Sequence, residues 1–91
     1  MANVSVGLAV VKNGIEVCNE VMQDLDRLIS YLEREYQRAQ QSWKDSKAAQ
    51  ANGIVYECIR MLKKPIGDLG DCKIKLMELE TAISNYENTN I

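Results

Sequence analysis

The sequence contains no histidine and no phenylalanine, and only one proline, one tryptophan, five glycines and three cysteines in 91 residues. Each scarcity removes a class of chemistry. Without imidazole there is no Ser-His or Cys-His nucleophile and no zincin helix, and three scattered cysteines fall short of a four-ligand zinc site. What remains is Leu, Ile, Ala, Glu, Lys and Gln, a palette for helices. A 46% hydrophobic and 26% charged composition belongs to a folded chain. Its length allows one domain with a small core, so stability calls for a staple, a metal or a second subunit. Composition therefore favours a binding or structural role over an enzymatic one, and no cofactor is expected. Cys18, Cys58 and Cys72 have no imidazole to activate them, and Glu57, Glu78 and Glu80 mark no visible pocket.

The net charge of -2 lacks the basic excess of nucleic-acid binders. The apolar run from Val4 to Val11 has no basic residue before it and is followed by Lys12 and Asn13, so it does not read as a Sec signal. No segment approaches the ~20 apolar residues of a membrane span. The expected chain is made in the cytosol, and any export uses another route.

From Ile15 the apolar positions advance in steps of three and four through Cys18, Met22, Leu25, Ile29, Leu32, Tyr36 and Ala39 to Trp43. This heptad spacing predicts a helix over about 13–42, with Asn13 and Glu16 as a capping-box pair. Residues 1–12 are ambiguous: Val4, Leu8 and Val11 keep the register, but Gly7 and Gly14 weaken it and the valines fit a strand as well. A second stripe runs through Ala48, Ala51, Val55, Cys58, Leu62, Pro65, Leu69, Cys72, Leu76, Leu79, Ile83 and Tyr86, predicting a helix over about 46–87 and a short C-terminal tail. Pro65 falls on this stripe, and its missing N–H predicts a kink or loosening around 61–66. The three cysteines lie on the stripes and read as small core residues. A Cys18–Cys72 bridge is the minor reading, because packed helix axes ~8–10 Å apart usually hold Cα atoms beyond disulfide reach.

Two turns compete, one at about 43–46 and one at Asn52-Gly53. Reversal near Lys44 places residues whose numbers add to about 89 side by side. Glu16, Asp24 and Asp26 then face Lys73, Lys64 and Lys63; reversal at Gly53 loses that match. Exposed pairs contribute only ~0.2–1 kcal/mol each and act on register more than on stability. Asp45 or Ser46 would cap the second helix. The fold class is thus all-α, an antiparallel two-helix hairpin in a single domain.

Both apolar bands are wider than one partner needs. Val21 and Leu28 flank the first, and Ile54, Ile59, Met61, Ile66 and Ala82 flank the second, which predicts dimerisation into a four-helix bundle driven by burial at ~25 cal/mol per Å². The hairpin or dimer seam is assigned to Ile15, Met22, Leu25, Ile29, Leu32, Tyr36, Val55, Leu62, Leu69, Leu76, Leu79 and Ile83. Ile74 and Met77 point away from it, as scattered surface apolars or a docking patch.

A chain of just under one hundred residues with two heptad helices and a lone tryptophan at the bend resembles the WXG-type, early secreted antigen target-like proteins of type VII secretion. The bend reads Trp43-Lys44-Asp45, with Asp45 where that family usually has glycine, and Ala51 stands where members often have an aromatic. The family's C-terminal Tyr-x-x-x-Asp/Glu signal is approached by Tyr86-Glu87-Asn88-Thr89-Asn90, acidic one residue after the tyrosine and not four. Tyr31 to Glu35 fits that pattern inside the first helix, where a chance match is the simpler reading.

The resemblance implies a non-enzymatic dimer, with itself or a paralogous hairpin, in a Gram-positive bacterium. Trp43 and Asp45 would be its recognition turn, Tyr86 and Glu87 its C-terminal signal, and a secretion ATPase or larger toxin its further partner. Such a chain is secreted by a non-Sec route, or stays cytoplasmic as a targeting partner for a toxin's helical N-terminal domain. Without the resemblance, a plain coiled-coil adaptor fits the stripes, and Trp43 and Tyr86 are packing residues.

Overall fold

The computed structural model describes residues 2–89, with side chains described for 5–87. The chain is an all-α helical hairpin: α1 spans Ala2–Ser42 and α2 spans Ser46–Thr89. Val4's side chain and Asn90 lie outside the described residues.

The helix begins well before Asn13, which is an interior helical residue and not a cap. Tertiary packing explains the extension. Val11 is buried and Leu8 half-buried in register with Ile15 and Cys18, and amphipathic burial of this kind outweighs the weak propensities of Gly7 and Gly14.

The chain divides into two compact units. One comprises residues 1–22 and 68–91, and the other residues 23–67. In the first, the buried side chains are Val11 and Cys18, beside half-buried Ile15, Met22, Leu69, Leu76 and Ile83. The helices approach closely at Gly14, where a β-carbon would stand 3.3 Å from Leu76 Cδ1. In the second, Ile29, Ala48 and Ile59 are buried, with Leu25, Leu32, Tyr36, Val55 and Leu62 half-buried. Tyr36 meets Tyr56 edge to face, with ring centroids 5.5 Å apart. The pairs Gly14–Leu76 and Tyr36–Tyr56 have numbers adding to 90 and 92, so the reversal lies at the tryptophan and Asn52-Gly53 sits inside α2.

On α2 Val55, Leu62, Leu69, Leu76 and Ile83 keep their expected inward places, while the stripe positions between them shift by one residue. In the second unit Ile59 is buried where Cys58 is exposed, and Ile66 is half-buried where Pro65 is exposed. In the first unit Cys72 and Tyr86 are exposed while Lys73 and Glu87 are half-buried, and Leu79 is 47% exposed beside half-buried Glu80. Only Cys18 of the three cysteines is a buried residue. Burying two isoleucines removes more apolar area from water than burying a cysteine and a proline. Lys73, Glu80 and Glu87 are half-buried, as long side chains are when their methylenes cover apolar surface and their charged heads reach water. The helical assignment runs through Pro65. Pro65 and Met61, whose carbonyl loses its helical donor to the ring, are both exposed residues.

The cross-helix ion pairs expected from the charge pattern do not form among the described residues. Asp24 pairs instead with Arg27 one turn away at 3.2 Å, and Glu35–Arg38 and Glu57–Arg60 are likewise local. All are solvent-facing, where a three-residue helical spacing brings partners together with less ordering than a reach across helices.

Candidate recognition surface at the bend

The bend is built by hydrogen bonds from both sides. Trp43 N–H donates to Ala39 C=O at 2.9 Å, completing the last turn of α1, and the Ser42 hydroxyl leans on the same carbonyl at 3.5 Å. Asp45 starts α2: its Oδ1 accepts from Lys47 N–H and from Ala48 N–H, each at 3.0 Å. Those donors are the N2 and N3 amides that an N-cap side chain satisfies. Asp45 is therefore the cap, with Ser46 as the first helical residue, and among the described residues no backbone is left-handed.

Trp43 is 42% exposed. It lines an apolar groove of about 240 Å³ with Leu32, Glu35, Tyr36, Ala39, Ala48, Ala51, Asn52 and Val55. The residues in this groove explain its depth: alanines at 39, 48 and 51 leave open the space that larger side chains would fill. Trp43 also borders a shallower hollow of about 210 Å³ shaped by Gln40, Lys44, Asp45, Ala48, Ala49 and Asn52. Tyr36 separates the apolar groove from a third, more polar hollow of about 280 Å³ that includes Glu33, Gln40, Tyr56 and Lys63. The Gln40 amide donates to the Tyr36 hydroxyl at 2.9 Å. Desolvation, and then the neighbouring Tyr56, raise the Tyr36 phenol above its ordinary pKa.

The C-terminal candidates belong to the other unit. Tyr86 is 56% exposed and Glu87 half-buried, both within α2. The nearby Thr81 hydroxyl bonds back to Met77 C=O at 3.1 Å. Tyr31 is exposed within α1.

Sequence reasoning missed a second apolar stripe on α1. Val6, Val10, Val17 and Val21, all in the unit of residues 1–22 and 68–91, are exposed at successive steps of four, seven and four. The signal is present in the sequence: Val6 and Val10 fall in the ambiguous residues 1–12, Val21 flanks the first stripe, and Val17, four residues before Val21, joins them only once the helix extends through residue 12. Leu28 and Tyr31, in the other unit, are also exposed, as are Ile54 and Met61, seven residues apart on α2.

No group of side chains that could hold a metal ion occurs among the described residues, and no helix among them is long and apolar enough to cross a membrane. The chain matches no protein-family model, no curated protein and no solved structure.

Proposed function

We propose that this chain is a non-enzymatic helical-hairpin protein of WXG-like type, a secreted or secretion-associated component of a type VII-like system that acts through dimerisation and partner recognition. The observation that carries the reading is the exposed Trp43 beside an apolar groove at a side-chain-capped bend. A part-exposed tryptophan bordering an apolar groove is the kind of side chain that anchors protein interfaces. The exposed valines of α1 supply the unspent apolar surface that pairing with a second hairpin, its own copy or a paralogue, would bury.

Adjacency of Tyr86 and Glu87, with Asn90 at the fourth position after the tyrosine, favours a second reading: a cytosolic targeting partner for the helical N-terminal domain of a larger secreted toxin. Trp43→Ala tests recognition. Export, or capture of the partner from the native host, is expected to fall at least tenfold with helicity and thermal stability unchanged; equal loss of fold would assign the indole to packing instead. Comparing culture supernatants with and without the secretion ATPase separates an exported chain from a retained partner. Light scattering tests dimerisation, and a clean monomer at high concentration, alone and with every hairpin it copurifies with, would overturn it.

A further inference from the structure

We propose that the dimer inferred above, on which this assignment rests, is a homodimer in which α1 of a second copy lies antiparallel on α1 about a twofold axis at Asn13-Gly14. Val6, Val10, Val17 and Val21 are exposed in one compact unit, and at ~100° per residue they fall within ~60° of the helix circumference. Their intervals of four, seven and four read the same from either end. Turning one copy end over end therefore sets Val6 opposite Val21 of the second copy and Val10 opposite Val17, and the twofold axis makes each contact twice. A stripe that matches its own reverse has the self-complementarity of a twofold interface, and this points to the chain itself as the occupant. Charge selects the antiparallel arrangement over a parallel one. Residues 2–11 carry no charged side chain, whereas Glu16 and Glu20 follow at exposed positions. Parallel pairing would stack these carboxylates on their own copies; antiparallel pairing lays them beside the uncharged residues 7–11. Asn13, exposed next to the axis, carries both donor and acceptor and can bond the same amide of the second copy, fixing the register as a lone polar seam residue does.

Helix α2 widens the same face within this unit. On α1, exposed Val10, Val17 and Val21 each stand one residue before an inward residue, Val11, Cys18 and Met22, which is a turn of about −100°. On α2, exposed Cys72, Leu79 and Tyr86 each stand three residues after half-buried Leu69, Leu76 and Ile83, which is a turn of about −60°. Antiparallel helices present the same sense of turn on the same side of the pair, so Leu79 and Tyr86 continue the valine stripe. The four valines, Leu79 and Tyr86 are 38–65% exposed and leave on the order of 500–600 Å² of apolar surface in water, the upper end for a monomer. Two such faces together reach on the order of 1,000 Å², the scale at which an interface becomes specific.

Analytical ultracentrifugation of the full chain under reducing conditions reads the dimer dissociation constant, and circular dichroism reads the fold. Val10→Asp and Val17→Lys, both at exposed positions, should each weaken the homodimer by about tenfold or more with helicity unchanged. Val10→Asp combined with Val17→Lys in one chain tests the register. Antiparallel pairing sets each introduced carboxylate opposite an introduced ammonium, so the double variant should bind itself about tenfold or more tighter than either single variant, whereas parallel pairing would set like charge on like. Val10→Asp combined with Val17→Asp should stay dissociated. A double Asp/Lys variant no tighter than the singles would overturn the antiparallel register. A dimer that both single substitutions leave intact would overturn this face, while pairing through another surface would still stand. A chain monomeric alone yet paired with a copurifying hairpin would overturn the homodimer and leave the dimerisation reading in place.

Discussion

Gly14 and Leu76 meet across α1 and α2 so closely that a β-carbon on residue 14 would stand 3.3 Å from Leu76 Cδ1, whereas Gly53 has nothing within 4 Å of the same position. Both glycines are helical. Gly53→Ala should raise stability by about 0.5–1 kcal/mol through backbone entropy alone. Gly14→Ala gains the same entropy but must push Leu76 aside, so its net effect should fall at least about 0.5 kcal/mol below that of Gly53→Ala. Urea unfolding of the two variants measures the difference.

Removing the Asp45 carboxylate leaves the Lys47 and Ala48 amides without the acceptor that now serves both. Asp45→Ala should cost about 1 kcal/mol, and Asp45→Ser or Asp45→Asn should recover most of it. Thermal unfolding followed by circular dichroism reads the series. An equal loss in all three would mean that the negative charge, and not the cap, matters at this position.

The one-residue shift within the α2 stripe is open to the same method. Ile59 is buried and Cys58 exposed, so Ile59→Ala should cost about 2–3 kcal/mol and Cys58→Ala less than about 0.5 kcal/mol. The reverse ranking would restore the stripe through Cys58, Pro65 and Cys72.

Tyr36 makes stability depend on pH at the alkaline end. Its phenol has a higher pKa folded than the ordinary value of 10.0, so the neutral form is the one that folding favours. Its contribution is complete below pH 10 and is lost as pH rises through the folded pKa. Spectrophotometric titration should show one tyrosine ionising late, and Tyr36→Phe should remove that late step and flatten the alkaline fall in stability. Tyr31→Phe, at an exposed position, should leave the late step in place.

Much of the hairpin is legible in the sequence because α1 carries its inward residues at unbroken heptad steps from Ile15 to Tyr36, and they are the residues that pack. The bend is legible for a different reason. Asp45 and Ser46 are both short acceptor side chains before the second helix, and Asp45 is the one that caps. On α2 the pattern was ambiguous, since apolar residues flank the stripe on both sides and a helix can settle on either edge; relative burial of Ile59 and Ile66 against Cys58 and Pro65 chose between them. Charge matching pointed to the correct reversal for an insufficient reason, because Asp24 found Arg27 on its own helix before it could reach Lys64. Exposure of Trp43 depends on the small alanines across the groove, which composition alone does not arrange in space.

The reversal of the chain is specified from one side only. Asp45 signals where α2 begins, while the last turn of α1 has no basic side chain to hold its final carbonyls and no glycine to stop it. A fragment that runs past Ser42 without the aspartate has no local instruction to quit winding, so the length of the first helix is in effect written into the start of the second. Shifting the acidic residue along the bend, with α1 left untouched, should move the point at which the chain turns back.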